Sequence, residues 1–214
     1  MEEKKSIVDI LVNIHGEPPM QTHRRILREF LPVLRLVHIL NIVLMAFTVL
    51  IPTWEGFGII LAAASVGCYF ALSSANSRYR TAGIFQVLYM LCLLLSTPLN
   101  NMGLLMLVSA LLKLIADFQE YYAHAEMLER TDGGLAHSWR TLFNWYIVLL
   151  LIAMFFSFIL TTLVLMLALD RITTFWISTY SLSIAAVTYL PELIVDIFYL
   201  IYLNRMIRYT KMEE

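Results

Sequence analysis

The chain has 214 residues, 60% of them hydrophobic and 14% charged. Soluble domains run at about 45–50% apolar and about 25% charged, so the composition excludes an ordinary soluble core and points to a polytopic membrane protein. The formal net charge of −1 gives no basic field of the kind nucleic acid requires.

In chain order, the opening stretch MEEKKSIVDILVNIHGEPP has no apolar run of signal length, so the first span is expected to act as its own insertion signal. Ile7, Ile10, Leu11 and Ile14 fall at helical spacing, and Gly16 with Pro18-Pro19 stops that helix. Thr22 can cap a second short helix carrying Ile26, Leu27, Phe30 and Leu31. Both read as interfacial helices on the inner leaflet, together a cytoplasmic segment over 1–33; a partner-binding helix is the rival reading.

A span needs about 20 mostly apolar residues. Six are predicted, at 34–52, 57–73, 82–98, 102–122, 143–169 and 175–203, within a transmembrane domain over 34–204, followed by a cytoplasmic tail at 205–214. The alternative is four or five spans with one short segment re-entrant. Basic residues orient the set. Lys4, Lys5, Arg24, Arg25, Arg28, Arg35, Arg78, Arg80, Arg130, Arg140, Arg205, Arg208 and Lys211 share one side, which is thirteen of the 15. The opposite loops hold only Arg171, and Lys113 lies within a span. Both termini are therefore expected in the cytoplasm, and the fold class is an all-α integral membrane protein: a six-span bundle of three hairpins. Compact loops favour a bacterial plasma membrane.

Span four is expected to continue to about Arg130, some 43 Å at 1.5 Å per residue, before Asp132-Gly133-Gly134 ends it. Ser138 is a candidate cap for the next helix, with Trp139, Trp145 and Tyr146 as interfacial anchors. Lys113-Leu-Ile-Ala-Asp117 and Glu192-Leu-Ile-Val-Asp196 form a short echo between spans four and six, a pattern consistent with repeated hairpins or with chance.

The charges in these spans carry the functional reading. Ser109, Lys113, Asp117, Glu120 and His124 follow at steps of three or four in span four, as do Thr188, Glu192, Asp196 and Tyr199 in span six. A charge in hydrocarbon costs roughly 2.5–3.5 kcal/mol even on insertion scales. Lys113 facing Glu192 or Asp196 would make a register-fixing ion pair. Three carboxylates (Asp117, Glu192 and Asp196) against one lysine would instead leave a surplus that binds a proton, a cation or a polar solute. Pro191 is placed to kink span six beside Glu192.

Glu120 and His124, at i, i+4, could chelate a divalent metal, with His38 and Asp196 as further ligands; no cofactor is otherwise implied. There is no nucleophile elbow or phosphate-binding glycine loop. Cys68 and Cys92 sit in apolar runs and read as packing residues, as do the aromatic clusters and eleven methionines. Ala63, Gly67, Ala71 and Ala75 place small residues at every fourth position, a face suited to close helix approach within the monomer, with a second copy or with a partner subunit. In size, span count and alanine run the chain resembles, architecturally, the substrate-binding subunits of energy-coupling-factor transporters.

The leading functional expectation is membrane transport, as a small solute or ion/proton carrier or as a substrate-binding subunit, with Lys113, Asp117, Glu120, Glu192 and Asp196 as the binding set. The alternatives are a membrane-embedded enzyme acting on lipid or peptide through His124, Glu120 and Asp117, and a non-catalytic interaction or immunity-type protein. The lipid bilayer is the one partner composition itself implies.

Overall fold

The computed structural model describes residues 19–50, 55–96, 102–129, 131–168 and 192–210, all of them helical or in short turns. The helices are α1 (Pro19–Leu50), α2 (Glu55–Leu72), α3 (Ser77–Ser96), α4 (Met102–Leu128) and α5 (Gly133–Ala168), followed by a helical segment over 192–210, here α6. Residues 1–18, and Thr188 and Pro191 in the first part of span six, lie outside the described residues.

Each of α1 to α4 packs against the next, and the α3–α4 contact is the most extensive. Side-chain pairs fix the directions. The start of α3 meets the end of α4 through Arg78 and Glu126, 2.6 Å apart. The end of α2 reaches the same region through Tyr69 and Glu120. α6 lies against α1 where the Arg35 guanidinium donates to Asn204 at 3.0 Å. The starts of α1, α3 and α5 therefore meet the ends of α2, α4 and α6 at one end of the bundle, where Arg35, Arg78, Arg140 and Arg205 also fall. We call it the basic end.

Two helix starts follow from local chemistry. The Asn76 carboxamide oxygen accepts from the Arg78 backbone N–H at 2.9 Å and starts α3. Asp132 accepts from the Leu135 N–H at 2.9 Å and starts α5. Ser138, expected as that cap, instead lies inside α5 and donates to the Gly134 carbonyl. The aspartate ends one helix and begins the next: its own N–H donates to the Leu128 carbonyl at 2.8 Å.

α1 also differs from expectation. It runs unbroken through Thr22 and Pro32, so the segment expected to lie on a membrane surface is continuous with span one. Ile26, Leu27, Leu31 and Leu34 from this stretch are buried in the core. Their spacing is amphipathic, and the apolar stripe is satisfied by neighbouring helices.

The core sits at the basic end. Its largest fully buried side chains include Trp139, Tyr79, Tyr199, Leu72, Leu203, Met206, His124 and Glu120. Trp139, expected at an interface, is thus interior, while Trp145 is exposed. Further along α5 the pattern inverts: Leu151, Phe155 and Phe158 are exposed, Phe158 at 70%. Gly133–Leu163 is the one helix among the described residues long and apolar enough to cross a membrane, and Gly58–Leu72 is a shorter apolar helix.

Candidate functional site

The face predicted along span four exists on α4, and its members split into two groups. Lys113 and Asp117, one turn apart, form an ion pair. Lys113 is 36% exposed along its side chain and Asp117 is buried. The cross-helix bridge, one of the two readings of these charges, is not formed among the described residues. Among the described residues neither Glu192 nor Asp196 forms an ion pair or hydrogen bond with Lys113, although both carboxylates feel its charge. An i, i+4 partner on the same helix satisfies the lysine without any help from α6.

One turn further along, Glu120 is the centre of a buried polar hub, with only 1% of its surface exposed. Its Oε2 accepts from the Tyr69 hydroxyl of α2 at 2.7 Å. Its Oε1 accepts from the Tyr199 hydroxyl of α6 at 2.5 Å. His124, fully buried on the next turn of α4, lies 3.2 Å from the Tyr199 oxygen through Nε2 and 2.6 Å from the Tyr79 hydroxyl of α3 through Nδ1. Trp139 of α5 stacks on the His124 ring with centroids 4.5 Å apart. His38 of α1 lies against Tyr199 with ring centroids 4.1 Å apart and places Nε2 3.5 Å from Glu120 Oε1. Side chains from all six helices thus meet round the Glu120 and His124 pair.

These distances fit one assignment of the protons. Tyr199 has one hydroxyl hydrogen and gives it to Glu120, so towards His124 it can only accept. His124 Nε2 therefore carries the hydrogen, and Nδ1 accepts from Tyr79. The result is a one-way donor chain, Tyr79 to His124 to Tyr199 to Glu120, ending on an ionised carboxylate that Tyr69 approaches from the other side.

This arrangement bears on the expected metal site. Glu120 and His124 share a face as their spacing suggested and His38 lies beside them, yet both His124 nitrogens and both Glu120 oxygens are already engaged. Among the described residues no group of three or more His, Cys, Asp or Glu side chains could hold a metal ion. Asp196 and Glu192 lie partly buried on the adjoining stretch of α6, and Asp196 is close enough to His38 to feel its charge.

At the basic end a second cluster ties α3 to α4. Arg78 donates through Nε to Glu126 at 2.6 Å and through Nη1 to Gln119 at 3.1 Å, and Asn76 donates to the same Glu126 at 3.1 Å. The Arg78 guanidinium also lies 5.7 Å from the centroid of the Tyr122 ring. Beyond it, Asp132 receives the Tyr209 hydroxyl as well as the Leu135 N–H, and these two bonds hold its carboxyl below the usual range.

The small-residue face of α2 is open in the monomer. Ala63 and Gly67 are exposed, Ala71 and Ala75 half-buried, and a Cβ on Gly67 would meet nothing within 4 Å. Cys68 and Cys92 are free thiols.

Periodicity singles out Glu120, His124 and Tyr199, while His38 enters the sequence reading only as a further metal ligand. It missed Tyr69, Tyr79 and Trp139, which sit in or beside apolar runs where an aromatic residue carries no distinguishing signal. Comparison with protein-family models, with curated proteins and with solved structures gives no match.

Proposed function

We propose that this chain is a six-span membrane protein with cytoplasmic termini that transports a small solute or ion, working through the polar interior between α4 and α6. The observation that carries the proposal is the inverted distribution of polarity. Charged and hydrogen-bonding groups occupy the interior, with Asp117, Glu120 and His124 buried, while large apolar side chains such as Leu107, Leu151 and Phe158 face outwards. That pattern suits a hydrocarbon surround, and intramembrane ionisable residues mark pathways for ions, protons and substrates.

In this reading Lys113, Asp117, Glu120, Glu192 and Asp196 form the binding set, with Lys113 as the internal counter-ion. Glu192 and Asp196 suit the role because no ion pair or hydrogen bond with the described residues occupies them. The buried state of Glu120 and His124 counts against the enzyme reading, since a lipid or peptide could not reach either without dismantling the hub. The open Ala63, Gly67, Ala71 and Ala75 face is the proposed docking surface for a partner subunit or a second copy.

The test is thermal stability of the detergent-purified protein titrated against pH and a panel of mono- and divalent cations. Stabilisation by protons or by one cation, lost in Asp196→Asn and in Glu192→Gln, supports the carrier reading. A flat response in the wild type overturns it. Single cysteines placed at 170–174 and at 205–211 in a Cys-free background test the topology: opposite sidedness to an impermeant maleimide is expected, and equal sidedness overturns the six-span arrangement.

A further inference from the structure

We propose that the Glu120 hub is the binding site of the coupling ion and that this ion is a proton, held as an imidazolium at His38 against Glu120. The word coupling rests on the carrier reading above; the proton site itself stands on the geometry of the hub.

The groups converging on Glu120 select the ion. A metal cation needs several oxygen lone pairs turned towards it. Here each carboxylate oxygen already accepts one hydroxyl, Tyr69 on Oε2 and Tyr199 on Oε1, and the next neighbour, His124, donates into the same chain. Every hydrogen in the chain is committed in one direction, so the hub accepts one more positive hydrogen and has no room for a coordination shell.

His38 is the member left over. Its Nε2 is buried with no hydrogen-bond partner and lies 3.5 Å from Glu120 Oε1. A charge-assisted N–H to carboxylate bond is about 2.7–2.9 Å long, so a shift of less than about 1 Å completes it. His38 is also the member with accessible surface, 16% of its side chain, whereas Glu120 and His124 have 1% and none. The titratable groups facing it are Glu120, Asp117 and His124 from α4 and Asp196 and Tyr199 from α6; Tyr69 from α2 reaches the far oxygen of Glu120. Three carboxylates face one ring, with His124 neutral in its assigned tautomer and Lys113 committed to Asp117.

The step balances simply. One proton from water adds to the neutral His38 ring, Glu120 remains ionised, and the hub's charge rises by one. The new N–H takes the second lone pair of Oε1 beside the Tyr199 hydroxyl, so proton binding ties α1 to the same atom of α4 that already holds α6.

The test is a double-variant cycle on the full chain in detergent, His38→Gln and Glu120→Gln, read by thermal stability at pH 5.5 and at pH 9. The expected result is that the two Tm shifts are non-additive by about 4 °C or more at pH 5.5 and additive at pH 9. Coupling equal at both pH values, or absent at both, overturns the proposal. If Glu120→Gln does not fold, ring-¹⁵N histidine spectra of the wild type and His38→Gln replace it. A doubly protonated ring that appears on acidification and is missing from His38→Gln supports the proton site; its absence between pH 9 and pH 5.5 overturns it. Pyranine-loaded proteoliposomes separate the two readings. A pH-dependent cycle without proton flux keeps the site and overturns the carrier. Flux that Asp196→Asn abolishes, together with a pH-independent cycle, overturns the site and keeps the carrier.

Discussion

Lys113 finds its counter-ion four residues along its own helix, at Asp117. The pair neutralises α4 from within, so α6 is not held to it by that lysine.

Removing one partner leaves the other charge uncompensated in an apolar setting, whereas removing both does not. Lys113→Met is therefore expected to destabilise the protein by about 2–3 kcal/mol more than Lys113→Met combined with Asp117→Leu. Reversible unfolding in mixed micelles measures the difference. Equal losses would mean that the pair is solvated well enough not to matter.

Each tyrosine on Glu120 satisfies one carboxylate oxygen. Tyr199→Phe and Tyr69→Phe should each cost about 1.5–3 kcal/mol, the range for hydrogen bonds to charged groups. Tyr199→Phe should cost more, because it also removes the acceptor for His124 Nε2–H. Equal costs in the same unfolding assay would refute the one-way chain.

Arg78 uses Nε and Nη1 on two different acceptors, Glu126 and Gln119. A lysine cannot reproduce that fork. Arg78→Lys is accordingly expected to lose nearly as much stability as Arg78→Ala, about 1 kcal/mol for this half-exposed contact. Full rescue by lysine would reduce the contact to simple charge.

Asp132 caps α5, and its carboxyl is held below the usual range by Tyr209 and Leu135. A depressed native value means that the stabilisation is complete above the unfolded carboxyl's range and is lost as pH falls through the native one. Stability should therefore decline below about pH 4, and Asp132→Asn should flatten that decline while keeping the cap. Asp132→Ala should lose about 1 kcal/mol at neutral pH. Melting curves from pH 3 to pH 7 distinguish the three proteins.

The α4 face was legible in the sequence because Lys113, Asp117, Glu120 and His124 recur at helical spacing in an otherwise apolar run, and such charges have few innocent explanations. Which helices share that face was not legible. Periodicity reports the side of one helix, while the partnership of Tyr69, Tyr79 and Trp139 with Glu120 and His124 depends on how several helices pack. The same gap explains the misplaced lysine partner, since a cross-helix bridge to Glu192 or Asp196 and a local one to Asp117 write the same spacing. Trp139 beside Arg140 read as an interfacial anchor because tryptophan next to basic residues usually is one, yet α5 turns it inwards onto His124. Asp132 was legible as a stop but not as a start, because one carboxylate serves both helix ends.

Among the described residues, close packing is concentrated at the basic end. Trp139, Tyr199, Leu203 and Met206 are locked against their neighbours there, while α5 beyond Ala153 presents Phe155 and Phe158 to its surroundings. Resistance to local opening follows the density of buried contacts, so among the described residues the hub and the side chains packed round it are the part expected to exchange its amide hydrogens last.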